Sequence, residues 1–146
     1  AIGQMARVHE QTGRSIVALM EVPKAETRHY GIFSGEWTDD RLFRVKDLVE
    51  KPKPEEAPSN YAVIGRYILT PEIFPILEKT AADGRGEVQL TDALRELLGT
   101  QDIYGYRFEG QRYDAGDKLG FLKAVVYFAL KRPDLADAFR KYLDTV

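Results

Sequence analysis

The run Ser15-Ile16-Val17-Ala18-Leu19-Met20-Glu21-Val22 decides the fold class. Its apolar residues do not alternate with polar ones, so the strand it predicts must be covered on both faces. That is the habit of a parallel sheet clad with helices. Just upstream, residues 4–11 read as a short helix with Met5 and Val8 on one face and Gly13 as its stop. A helix feeding such a strand reads as an α/β fold. Downstream, Tyr30-Gly31-Ile32-Phe33 starts a second strand, Trp37-Thr38-Asp39-Asp40 turns, and residues 41–49 return as the other arm of a hairpin. Gly31 inside a strand reads either as a bulge or as a place where something approaches the backbone.

The hairpin leads into Leu48-Val49-Glu50-Lys51-Pro52, where a strand ends and a carboxylate and an ammonium project side by side. A Pro- and Glu-rich surface loop follows, then a further strand over 60–69 interrupted by Gly65. Taken alone, Glu50-Lys51 is readable as an exposed ion pair, an interaction of little energetic weight. Beside glycines that leave room for a ligand, it is also readable as a polar pocket built on a sheet. Thr70-Pro71-Glu72 predicts a capped helix start running to about Lys79, with Pro75 expected to bend it. Asp83-Gly84-Arg85-Gly86 reads as a turn, Thr91 as the cap of a helix through Leu98, and residues 103–108 as a strand.

Arg112-Tyr113-Asp114-Ala115-Gly116-Asp117 comes next, placing an acid after a strand and before a long helix. That is where α/β proteins put ligands, although Asp114 also fits a plain helix cap. Two helices close the chain over 117–146, with apolar stripes at Leu119, Leu122, Val125 and Val126 and at Leu135, Phe139, Tyr142 and Leu143.

Composition narrows the function classes. The 146 residues are 44% hydrophobic and 30% charged, as in ordinary globular proteins. A net charge of -2 without a basic stripe argues against a nucleic-acid partner. Without cysteine there is neither a disulfide framework nor a thiolate metal site. His9 and His29 lack ligand spacing. No apolar run approaches the roughly 20 residues that a membrane span needs. The expectation is a cytoplasmic protein with no membrane partner.

An ordered series of segments carries a resemblance. It comprises Tyr30-Gly31, Val49-Glu50-Lys51-Pro52, Ala57-Pro58-Ser59-Asn60, Ile64-Gly65-Arg66-Tyr67 and Pro71-Glu72-Ile73-Phe74. It continues with Gly86-Glu87-Val88-Gln89-Leu90-Thr91-Asp92-Ala93, Tyr106-Arg107-Phe108-Glu109-Gly110 and Arg112-Tyr113-Asp114-Ala115-Gly116-Asp117-Lys118-Leu119-Gly120. In order and spacing the chain resembles the second half of bacterial UTP–glucose-1-phosphate uridylyltransferases, of the sugar-phosphate nucleotidylyltransferase superfamily. The resemblance implies the second half of a Rossmann-like mixed-sheet domain with C-terminal helices. It implies UTP and glucose 1-phosphate as substrates, Mg²⁺ as cofactor, and a homo-oligomer, dimer or tetramer.

By the same resemblance Lys51 contacts phosphate as a compact point charge, and Glu50 accepts hydrogen bonds from glucose hydroxyls. Gly31 and Gly65 let the sugar lie against backbone, and Glu87 is a weaker substrate-binding candidate. Asp114 is one of two aspartates that hold the metal, a hard ion that prefers oxygen. A thymidylyl or other sugar-phosphate branch, or a non-catalytic sugar-phosphate-binding or oligomerisation piece, would keep many of the same residues.

The chain departs from the family in one respect. No Gly-x-Gly-Thr-Arg loop followed by Pro-Lys is found, nor the second metal-binding aspartate. The expectation is a chain that carries the sugar-phosphate half (1–146), lacks the nucleotide-binding half and is inactive alone. Residues 15–22 would then lie unpaired along a hydrophobic sheet edge.

Overall fold

An unbroken apolar strand has to be sandwiched, and Ser15–Glu21 (β1) is. On one face Ile16 and Ala18 pack on Met5 from the preceding helix Ile2–Thr12 (α1). On the other, Val17 and Leu19 enter the main core with Phe33, Phe43, Leu48, Leu94 and Leu97. This computed structural model describes residues 1–146 except Asp83 and Arg85. The turn expected at Asp83-Gly84-Arg85-Gly86 therefore lies in part outside the described residues. Gly13 stops α1 in the left-handed conformation (φ 64°), and its N–H donates to the His9 carbonyl at 2.7 Å.

The expected hairpin is Gly31–Trp37 (β2) with Leu42–Glu50 (β3), and the strand after the loop is Tyr61–Ile68 (β4). The polar connection before β2 is a short 3-10 helix over Lys24–His29. In the long loop Pro52 is buried, so the loop is not wholly surface. After β4 come the short helix Ile73–Leu77 (α2), the helix Leu90–Leu97 (α3) and the strand Ile103–Arg107 (β5).

β1 is not an edge. It pairs antiparallel with β4 and parallel with β5, so later strands of the same chain occupy both of its sides. The order β1-β4-β2-β3-β5 closes back on β1, in a mixed rather than an all-parallel sheet. Of the two readings of Gly31, the bulge does not apply. Gly31 pairs in register with Glu50, and the irregularity falls at Ser34/Gly35. A side chain at Gly35 would collide with the Arg44 carbonyl, which explains the glycine there.

Neither threonine expected to cap a helix does so. Thr70 is buried and faces inward: its N–H donates to Ser15 Oγ at 3.1 Å, and its hydroxyl accepts from Gln101 Nε2 at 2.8 Å. These bonds fasten the start of β1 to the exit of β4 and to the turn after α3. Satisfying a buried hydroxyl outweighs a cap that exposed backbone can obtain from water. Thr91 is taken up by the site described below.

The chain divides into two compact units, 1–109 and 110–146. Everything above belongs to the first. The second holds the helices Lys118–Leu130 (α4) and Ala136–Leu143 (α5). Asp117 caps α4, its carboxylate accepting from the Gly120 N–H at 2.6 Å. α4 buries none of its residues, and Leu119, Phe121, Leu122, Val125 and Phe128 are all exposed. No helix among the described residues is long and apolar enough to cross a membrane.

Candidate functional site

The register of the β2–β3 hairpin places Gly31 directly across from Glu50 at the hairpin's open end. Pairing continues one residue further, where the Lys51 N–H donates to the Tyr30 carbonyl at 3.0 Å. The chain then leaves the sheet abruptly. Lys51 is the one non-glycine residue among those described with positive φ, at 44°. Left-handed backbone costs a side-chain-bearing residue roughly 1–2 kcal/mol. Such strain gathers at functional sites, where the surrounding structure holds it.

Three groups meet at the Glu50 carboxylate. Thr91 Oγ1, on α3, donates to Oε2 at 2.6 Å, and Lys51 Nζ lies 3.4 Å from Oε1. The Gly31 backbone supplies the third side. A Cβ on Gly31 would sit 3.2 Å from Glu50 Oε2 and 3.3 Å from Thr91 Oγ1, tighter than ordinary contact. Gly31 is buried, so the room its missing side chain provides is taken by the carboxylate and the hydroxyl. The Glu50 side chain is 28% exposed and that of Lys51 49%. The acid is held within the fold and the ammonium is open to solvent. α3 is itself fastened to β3 by Arg95, whose Nε and Nη2 donate to the two oxygens of Asp47 at 2.7 and 3.2 Å.

Tyr67 on β4 belongs to the same neighbourhood. Burial, and secondarily the Glu50 charge, pushes its phenol above the ordinary value of 10.0. The native state then keeps this proton where the unfolded chain gives it up. Stability contributed by Tyr67 is complete below pH 10 and lost as pH rises toward the higher native value. Urea midpoints on either side of pH 10 should fall more steeply for the wild type than for Tyr67→Phe. Equal slopes would mean that the folded chain does not raise this phenol.

The remaining candidates sit as follows. Gly65 lies where the β1–β4 register slips, with φ of 71° and nothing within 4 Å of where a Cβ would stand. Its glycine is required by backbone conformation, and the space beside it is open. Glu87 is exposed in the segment leading into α3. Asp114 lies in the second unit. Its Oδ1 accepts from the Gly116 N–H at 3.0 Å and its Oδ2 from Arg112 at 3.1 Å, and its side chain is 55% exposed. Asp114 does not cap α4; Asp117 does. Among the described residues no three metal-capable side chains come together. The Asp114 carboxylate offers oxygen, the donor that hard divalent cations prefer.

Two residues of the site were missed in the sequence, Thr91 and Tyr67. Thr91 stands in the first turn of a helix, where a threonine reads as a cap, and its partner is 41 positions away. No local pattern reports such a contact.

Comparison with known proteins adds the following. The family model described as nucleotidyl transferase matches residues 1–129. The UTP–glucose-1-phosphate uridylyltransferase of Staphylococcus epidermidis is 45% identical over 147 residues, covering 99% of this chain and 51% of that protein. The enzyme of the same name from Streptococcus pneumoniae serotype 4 is 48% identical, covering 96% of this chain and 47% of that protein. A solved UDP-glucose pyrophosphorylase complexed with UDP-glucose superposes with a TM-score of 0.81 at 46% identity, over 88% of this chain and 49% of that one. The chain spans about half the length of the curated relatives it matches.

Proposed function

Because this chain belongs to the nucleotidyl transferase family, we propose that it supplies the sugar-phosphate half of a UTP–glucose-1-phosphate uridylyltransferase site. In the reaction a phosphate oxygen of glucose 1-phosphate attacks the α-phosphorus of UTP. The bond from that phosphorus to the bridging oxygen breaks, UDP-glucose forms and pyrophosphate leaves. Such displacements need positioning and charge neutralisation more than a general base.

The observation that carries this reading is the pair at the end of β3. An anchored carboxylate and a solvent-reaching ammonium lie 3.4 Å apart beside a residue without a side chain. Lys51 neutralises phosphate charge, and Glu50 accepts hydrogen bonds from sugar hydroxyls through the lone pairs that Thr91 does not occupy. Gly65 offers open backbone on the neighbouring strand and Glu87 a further polar contact. To the second unit we assign Asp114 as one carboxylate ligand of Mg²⁺. The ion, when bound, supplies positive charge to the phosphate oxygens.

The test is pyrophosphate release from UTP and glucose 1-phosphate with Mg²⁺. This 146-residue chain would be assayed beside a polypeptide extended upstream to the relatives' length. Turnover by the long form alone is the expected result. Turnover by neither form with UTP, but by the long form with another nucleotide, would overturn the uridylyl assignment. Turnover by the short form would overturn the division of the site. The exposed apolar residues of α4 and α5 support a homo-oligomer, with Phe139 and Tyr142 stacked at 6.4 Å on α5. Light scattering should show a smaller particle for Phe139→Asp with Tyr142→Asp; an unchanged one would clear α5 of that role.

A further inference from the structure

Glu50 could in principle swing freely at the end of its strand, and a freely swinging carboxylate makes a poor template for sugar hydroxyls. We propose that Thr91 is a positioning residue: its hydroxyl fixes the Glu50 carboxylate in one rotamer, leaving Oε1 directed toward Lys51 and the ligand. The inference rests on the sugar-phosphate reading of the site and deepens it.

Four observations carry it. The Thr91 hydroxyl reaches Glu50 Oε2 at 2.6 Å, a short hydrogen bond to a charged acceptor. No hydrogen bond from the Thr91 side chain caps its own helix, the role its place in the sequence suggests. A Cβ at Gly31 would stand 3.2 Å from the carboxylate oxygen and 3.3 Å from the hydroxyl, so the glycine is what leaves both atoms of this bond their place. The Arg95–Asp47 fork, one turn along α3, holds the helix on β3 independently. The Thr91 bond is thus not needed to dock the helix, and its effect falls on the carboxylate.

Hydrogen-bonding through one oxygen also divides the work of Glu50. Oε2 is committed to the protein, while Oε1 keeps its lone pairs for Lys51 and an incoming hydroxyl. A carboxylate held this way presents its acceptor at a fixed place, so less freedom is lost when the ligand binds. A valine at 91 has nearly the shape of threonine and no hydroxyl. A serine keeps the hydroxyl and loses only a methyl group.

The experiment compares wild type, Thr91→Val and Thr91→Ser in two ways. NMR couplings of the Glu50 side chain in the 146-residue chain report whether one rotamer dominates. Titration with glucose 1-phosphate and, separately, with inorganic phosphate reports which part of the ligand is affected. It is done on this chain and on the polypeptide extended upstream. We expect Thr91→Val to average the Glu50 rotamers and weaken glucose 1-phosphate by about tenfold. Inorganic phosphate, which makes no use of Glu50, should bind as before, and Thr91→Ser should restore wild-type behaviour.

A single Glu50 rotamer in Thr91→Val would overturn the proposal, as would a serine variant no better than the valine one. If Thr91→Val averages the rotamers while neither wild-type polypeptide binds glucose 1-phosphate, positioning stands and the ligand assignment fails.

Discussion

Lys51→Ala lowers kcat/KM for glucose 1-phosphate by about 10²- to 10³-fold, the usual cost of removing a preorganised group that stabilises developing charge. The loss should appear in the upstream-extended polypeptide that turns over and should not be recovered by raising Mg²⁺. Stability moves the other way. Lys51 has φ of 44°, a region that glycine enters without penalty. Lys51→Gly should therefore raise the urea midpoint, with a gain in unfolding free energy of roughly 1 kcal/mol once the greater freedom of glycine in the unfolded chain is offset. A glycine variant that is both inactive and more stable is what a strained functional residue predicts. One that is inactive and less stable would mean that the Lys51 side chain holds the strand end together, and the assignment of strain would fail.

Phe33→Ala destabilises the first unit by about 3–5 kcal/mol, the range for emptying a buried aromatic site. Phe33 is wholly buried and faces Phe43 with ring centroids 6.5 Å apart, in a core shared with Leu94 and Leu97 of α3. Its carbonyl also accepts from the Ser59 hydroxyl at 2.5 Å, so the residue ties β2 to the end of the long loop. Phe33 is two residues beyond Gly31 on the same face of β2. The cavity it leaves opens beneath the contact between β3 and α3 that brings Glu50 to Thr91. Urea denaturation should show a lower midpoint at unchanged slope. Phe33→Leu, which keeps most of the volume, should cost under roughly 1.5 kcal/mol. A loss below about 1 kcal/mol for the alanine variant would place Phe33 outside the load of the core.

Much of the fold was legible because it is written locally. The unbroken run at 15–22 required cover on two faces, and α1 with the α2–α3 side of the core provides it. The hairpin, the strand after the loop and the left-handed stop at Gly13 follow from turn residues and apolar spacing. What was not legible is pairing at a distance. Nothing in residues 15–21 tells that their neighbours are 61–68 on one side and 103–107 on the other. The same holds for the threonines. A helix-start threonine has two uses of similar energy, capping its own backbone or reaching across to another element, and only the finished packing chooses. At the site, Glu50, Lys51 and Gly31 were expected together and lie together, while Thr91 and Tyr67 join them only through the folded packing. Asp114 was weighed against a capping role for α4 that Asp117 performs.

The closed order of strands has a consequence for synthesis on the ribosome. The ring is completed by the parallel pairing of β1 with β5, whose first residues, Ser15 and Ile103, are about 90 positions apart in the chain. When β4 has emerged and β5 has not, β1 has one partner and one bare flank. That flank belongs to the most apolar strand of the first unit, an edge of the kind other chains can pair with. Until Ile103 has been translated the nascent chain is therefore open to chaperone binding or to pairing with a neighbour, along both flanks of β1 at first and along one once β4 has paired. Completion of β5 ends that exposure, and the finished ring leaves β1 no free edge.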